Sequence, residues 1–207
     1  IVAAGPSPSF IVPGAFVIAA DGGLEKLRED GITPDLVMGD FDSLGENPTG
    51  DNVLTFPKEK DDTDTMLAIK EALRRGYEKI YISGAVGGRL DHTVANIQSL
   101  IFAVKLGAEA YLCGGEETVT VINSGSVKFR EKPSGRISVF CLSDSATAVN
   151  ISGLKYQAVG ASLSNMFPIG VSNEFIGGEA SVSLSSGILG IIWDGVPDDI
   201  TVSPKRD

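Results

Sequence analysis

Four stretches of the sequence bring together residue types that can do chemistry. The first is Gly39-Asp40-Phe41-Asp42-Ser43, which follows a short apolar run. In extended chain Asp40 and Asp42 project to one side and Phe41 to the other, into packing. Two carboxylates held close repel each other unless a cation lies between them. A solvated, aspartate-rich turn is the alternative. The preceding apolar strand favours function, because it delivers both acids to the carboxyl edge of a sheet, where ligands bind in open α/β folds.

The second stretch is Lys60-Asp61-Asp62-Thr63-Asp64. Asp61 and Asp64 are three apart at the start of a helix, so they can share a face. One acid can serve as a cap, but three acids and a threonine exceed what capping needs, which leaves at least one as a ligand. The third is Ala20-Asp21-Gly22-Gly23. A glycine pair opening a helix lets backbone N–H groups approach a phosphate or a ribose, and Asp21 can accept ribose hydroxyls or sit near a metal. Taken alone, this stretch is better explained as an N-cap aspartate in a tight turn.

The fourth runs from Ser83 through Gly84, Gly87, Gly88, Arg89 and Asp91 to His92. A strand enters a glycine-rich loop and then the N-terminus of a long helix. The N–H groups and positive helix end favour phosphate oxygens, and Arg89 adds a fork of donors. It is neither a P-loop nor a dinucleotide fingerprint. His92 is the only histidine, and with two cysteines in the chain a zinc site is excluded in practice. Residues 20–64 hold thirteen Asp or Glu against four Lys or Arg. Carboxylates gathered after apolar runs point to a hard cation such as Mg²⁺, which takes oxygen ligands. Acids for a metal opposite donors for phosphates describe a Mg²⁺–nucleotide site.

The elements that must position these groups alternate. Strands are expected at 16–19, 35–38, 52–56, 79–83 and 109–113. Helices are expected at 23–30, 62–75 and 91–106, the second capped by acids and followed by Gly76. Such alternation makes a mostly parallel sheet covered by helices. Pro6 to Gly14 is too short and proline-rich for the crossover helix a parallel neighbour needs. Beyond about residue 115 come short strand-like runs at 118–122, 127–130, 137–142, 180–184 and 188–193, with no convincing helix. The expected fold is an α/β N-terminal domain with a mostly parallel, Rossmann-like sheet over residues 1–120, then an all-β sandwich domain over 121–207.

Of 207 residues, 43% are hydrophobic and 21% charged, enough for a buried core. The net charge of −10 argues against general binding to nucleic acid or an anionic membrane, and no apolar run reaches the length of a spanning helix. Cys113 and Cys141 lie in apolar runs and read as buried thiols in a reducing compartment, the cytoplasm. Trp193 reads as core.

The four stretches, in this order and spacing, closely resemble the thiamine pyrophosphokinase family. Gly153-Leu154-Lys155-Tyr156 and Gly170-Val171-Ser172-Asn173 are similar to its second-domain signatures. The resemblance implies a homodimer with a composite active site, and Mg²⁺-dependent transfer of the pyrophosphoryl group of ATP to the thiamine hydroxyl, releasing AMP. It implies metal ligands at Asp40, Asp42 and Asp64, and catalytic roles for Asp42, Asp64, Arg89 and Asp91, with Asp91 or another clustered acid as proton acceptor. It implies ATP contacts at Asp21, Gly22, Gly23, Ser43, Asp61, Thr63, Gly84, Gly87, Gly88 and Arg89. Thiamine contacts are implied at Tyr156, Ser172 and Asn173, with tyrosine standing where the family often has tryptophan. The rival readings are a pyrophosphokinase for another heteroaromatic alcohol such as a hydroxymethylpterin, a nucleotide hydrolase, or a non-catalytic nucleotide or thiamine sensor.

Overall fold

The apolar run at the start of the chain's alternating half condenses into β1, Ile18–Ala20, whose three residues are all buried. It lies parallel to β2, Leu36–Gly39, which lies parallel to β3, Val53–Thr55. The computed structural model describes residues 1–41 and 48–204, and the chain divides into two units, Ile1–Gly115 and Glu116–Asp207. In the first unit β4, Lys79–Ser83, pairs in parallel with β5, Glu109–Cys113. Val2 bridges the two sets, parallel to Ala19 on one side and to Ser83 on the other. The order is therefore β3-β2-β1-Val2-β4-β5, and the direction of winding reverses between Val2 and β4.

Among the described residues three helices accompany these strands. The first, α1, spans Gly23–Glu29, α2 spans Asp64–Arg74 and α3 spans Leu90–Lys105. Helix α2 begins where its cap lies: the Thr63 hydroxyl accepts the Met66 N–H at 3.1 Å, and Arg74 suits the last turn. Leu24 and Leu27 of α1 pack on Val2, Val17, Ala19, Val37 and Phe41. The link from Pro6 to Gly14 contains no helix. Lys26 of α1 holds its start, donating to the carbonyls of Gly5, at 2.7 Å, and Ser7. The expected oddity of this segment is thus an irregular crossover.

The second unit is antiparallel. Its strands are β6, Glu117–Lys132; β7, Arg136–Cys141; β8, Ser145–Ser152; β9, Ala158–Ser164; β10, Asn173–Glu174; β11, Gly178–Asp194; and β12, Ile200–Ser203. The two pairs of short runs expected around residues 118–130 and 180–193 are two long strands instead. Their polar midpoints, Asn123 to Ser126 and Ser185 to Gly187, are an irregularity in a continuous β6–β11 ladder, which shifts register between Leu184 and Ile188. Past that point β11 exchanges neighbours: residues 181–186 pair β8, and residues 189–193 pair β7. Strands β8, β9, β10 and β12 were not expected from sequence, because alternating Ser, Thr and Ala do not form an apolar run. Phe129, Phe175 and Trp193 meet edge-on in the core, with ring centres 5.2 and 5.6 Å apart. The break after Gly115 places residues 116–120 with the second unit.

Candidate active site

The carboxyl ends of the parallel strands carry the groups singled out from the sequence. Asp21 follows β1, Asp40 follows β2 and Gly84 follows β4. A cavity of about 450 Å³ opens there, at the reversal between Val2 and β4, where open α/β sheets bind ligands. Its walls come from Ala3–Pro6, Asp21, Thr63–Thr65, Gly84–Val86, Gly88 and the first turns of α3. A second groove, about 360 Å³, lies at the amino edge and is lined by Phe10, Phe16, Tyr77 and Tyr81. The carboxylate there, Asp35, is engaged by the Val17 N–H at 2.7 Å. That groove lacks the paired acids and glycine loop, so the carboxyl-edge cavity is the candidate site.

Asp40 and Asp64 come from stretches 24 residues apart and converge. The Lys60 Nζ lies 3.2 Å from Asp40 Oδ2 and 2.8 Å from Asp64 Oδ1. The Lys60 side chain is 13% exposed, and the acids 14% and 25%. Burial opposes the ammonium charge, but hydrogen bonds and attraction from Asp64 and Asp40 outweigh it and hold Lys60 above its ordinary value. Two hard-oxygen groups therefore face one cationic position. That donor chemistry fits Mg²⁺, and Asp64 also lines the cavity. Among the described residues no three His, Cys, Asp or Glu are grouped for a metal. Asp42 and Ser43 lie outside the described residues.

Two sequence arguments need correction. The alternation that put Asp40 and Asp42 on one side assumed extended chain, yet Phe41 has φ +59°, in the left-handed region. Its ring is buried, as expected. The helical spacing argument for Asp61 and Asp64 also fails, because α2 begins at Asp64 and Asp61 precedes the cap. Asp61 is exposed, Asp62 pairs with Lys70 at 2.7 Å, and Asp64 alone of the three turns to Lys60.

The glycine loop is shaped by close packing. Gly84 has φ +66°, and a Cβ there would meet the Ala3 carbonyl oxygen at 2.0 Å. Gly23 makes similar room for the Val2 carbonyl. Gly22, Gly23 and Gly87 are not among the residues lining the cavity, whereas Gly84 and Gly88 are. Asp21 lines it too, held at φ +47° by its N–H donating to the Met38 carbonyl at 2.7 Å. Asn96 of α3 donates to the Ala85 carbonyl at 2.8 Å and ties loop to helix. Arg89 precedes α3 and lines the cavity. Its guanidinium donates to Asp91 Oδ1 at 3.2 Å and Oδ2 at 2.6 Å. Arg89 beside it, with the His92 N–H, holds the Asp91 carboxyl below its usual range, and Asp91 is not among the lining residues. A carboxylate so placed orients the guanidinium better than it accepts a proton.

In the second unit Tyr156 exposes 60% of its surface, and the Lys155 Nζ stands 5.5 Å from its ring centre. Asn173 is buried, and its amide is committed to backbone: Oδ1 accepts from the N–H groups of Tyr156 and Glu174, each at 2.9 Å. Ser172 is exposed at φ +60°, its N–H donating to Ser138 Oγ at 3.1 Å. Lys60, Asn96, Thr93 and the Ala3–Pro6 wall escaped the sequence reading. Only Lys60 carried a signal, its adjacency to the acidic run.

Comparison with known proteins gives the chain a family. The family description "Thiamin pyrophosphokinase, catalytic domain" matches residues 11–112, and "Thiamin pyrophosphokinase, vitamin B1 binding domain" matches residues 126–189. The chain is 30% identical over 179 residues to the thiamine pyrophosphokinase of Bacillus subtilis, covering 83% of this chain and 84% of that one. The crystal structure of thiamine pyrophosphokinase from Bacillus subtilis superposes with a TM-score of 0.81 at 27% identity, over 94% of this chain and 97% of that one. A thiamin pyrophosphokinase family protein from Enterococcus faecalis gives 0.81 at 29%, with the same coverage. Matched by both family descriptions and by a relative 30% identical over 83% of its length, the chain belongs to the thiamin pyrophosphokinase family of group-transferring enzymes.

Proposed function

We propose that the chain transfers the pyrophosphoryl group of ATP to the hydroxyethyl group of thiamine, giving thiamine diphosphate and AMP. The observation that carries this reading is Asp64: it shares one cationic position with Asp40 and lines the same cavity as Arg89 and the N-terminal turn of α3. The first unit is Rossmann-like and takes the nucleotide. The second is a sandwich that takes thiamine through Tyr156 and pairs with a second copy. Support for that pairing comes from the exposed Val159, Met166, Phe167 and Ile169 of this unit.

In the reaction the thiamine hydroxyl oxygen attacks the β-phosphorus. The bond from that phosphorus to the α,β-bridging oxygen breaks, and AMP leaves with the oxygen. Asp40 and Asp64, with Asp42, would hold Mg²⁺, which when bound supplies positive charge to the phosphate oxygens. Arg89, oriented by Asp91, and the N–H groups at the start of α3 stabilise charge on the phosphates. The tie from Asn96 to Ala85 keeps the loop in place. The hydroxyl proton passes to a carboxylate of the acidic group rather than to Asp91, which Arg89 occupies. Cys113 and Cys141, both free and buried, support a reducing compartment, the cytoplasm.

An AMP-release assay tests the reading. AMP is expected only when thiamine, ATP and Mg²⁺ are all present. Asp64→Asn should lower turnover by about 100-fold or more, as expected when several kcal/mol of charge stabilisation is removed. AMP without thiamine would mark a hydrolase, AMP only with a pterin alcohol would mark another acceptor, and no AMP with any acceptor would mark a sensor.

A further inference from the structure

We infer that Lys60 is an internal counter-ion which holds the metal position closed to a free divalent cation and yields it to the metal–nucleotide complex. The inference rests on the reading of Asp40 and Asp64 as metal ligands. Lys60 places one ammonium against both carboxylates, at 3.2 and 2.8 Å, and its side chain is as buried as that of Asp40. Two carboxylates this close and this screened from water cannot both stay charged without a cation between them. Lys60 supplies that charge from the chain itself, so the pair is assembled before any metal arrives.

A free metal ion must therefore displace a buried ion pair to bind. A metal–nucleotide complex makes the same displacement but brings phosphate oxygens that re-pair the displaced ammonium, and it gains the contacts of the cavity, where Asp21, Arg89 and the α3 N-terminus wait. Lys60 thus biases the site toward the complex and against the ion alone. It is a positioning residue: it sets the acids and touches no reacting atom.

The test is Mn²⁺ binding to the full chain, followed by electron paramagnetic resonance, with and without α,β-methylene-ATP. Lys60→Met should bind Mn²⁺ alone about ten-fold or more tighter than wild type, because the competing cation is gone. Its affinity for Mn²⁺ with the nucleotide should change much less. Lys60→Arg, which keeps the charge, should bind like wild type. Without metal, Lys60→Met should melt below wild type, and Mn²⁺ should close the gap. If Lys60→Met needs metal to fold, recovery of its far-ultraviolet spectrum with Mn²⁺ but not with NaCl supports the inference, and no recovery overturns it. Mn²⁺ affinity equal to wild type in Lys60→Met also overturns it. Asp64→Asn separates the two ideas. If it abolishes Mn²⁺ binding while Lys60→Met binds like wild type, the counter-ion fails and the metal site stands. If it leaves Mn²⁺ binding intact, the metal assignment itself is wrong.

Discussion

Asn173 clamps Tyr156 by its backbone: the Asn173 Nδ2 donates to the Tyr156 carbonyl at 2.7 Å, and Oδ1 accepts the Tyr156 N–H at 2.9 Å. One buried side chain thus fixes the residue that bears the exposed ring. Asn173→Ala leaves these groups unpaired and should cost about 1–3 kcal/mol of stability. The same variant should raise the thiamine KM, because the ring loses its seat. Urea unfolding and steady-state kinetics check the pair of effects. A stability loss with unchanged KM would make Asn173 a scaffold residue only.

Tyr156 presents a π-face with an ammonium already near it. Tyr156→Ala should raise the thiamine KM by about ten-fold, the scale of one lost cation–π contact, and leave the ATP KM nearly unchanged. Tyr156→Trp should restore or improve binding. Equal changes in both constants would sink the assignment of thiamine to this ring.

Glu71 of α2 lies between two arginines, with Arg74 Nε and Arg75 Nε each 2.7 Å away, and its side chain is 10% exposed. Arg74 first, opposed by burial and then aided by Arg75, lowers its pKa from 4.5 to about 2. A depressed folded-state value stabilises the fold above pH 4.5 and is lost as pH falls from there toward 2. Glu71→Gln should therefore lower Tm at pH 7 and flatten its decline across that acidic window. A wild-type curve that falls no faster there than that of Glu71→Gln would refute the pairing's contribution.

Gly84 is required by space and by backbone conformation together. Gly84→Ala would drive a Cβ into the Ala3 carbonyl at φ +66° and should destabilise the first unit by about 3 kcal/mol or more. Gly14→Ala, at φ +77° with nothing within 4 Å, isolates the conformational part alone and should cost less. Similar losses for both would mean the close approach to Ala3 is readily relaxed.

What was legible in the sequence follows from what kind of information a motif carries. Asp21, Asp40, Gly84 and Arg89 reach one sheet edge because an apolar run followed by glycine and acid is a strand end, and parallel strands end together. Phe41's left-handed backbone was not legible, since nothing in its type demands it. Lys60 looked like part of an acidic run, because its role depends on Asp40, which is distant in sequence. Asn173 was expected to face a ligand, but its amide is spent on Tyr156 and Glu174, a fact visible only when the strands are paired. The long β6 and β11 were read as fragments because their Ser and Gly midpoints imitate turns.

The join at Val2 is the seam between the two sets of strands in the first unit. The two sets meet through residues 1–5, by hydrogen bonds of 2.6 to 3.0 Å shared with Ile18, Ala20, Tyr81, Ser83 and Gly84. The cavity straddles that seam, with Asp21 on one flank and Gly84 on the other. A molecule seated in it acts as a rivet across the narrowest part of the sheet. Occupancy then reports directly on the integrity of the unit, and an empty enzyme is also the one most readily unzipped.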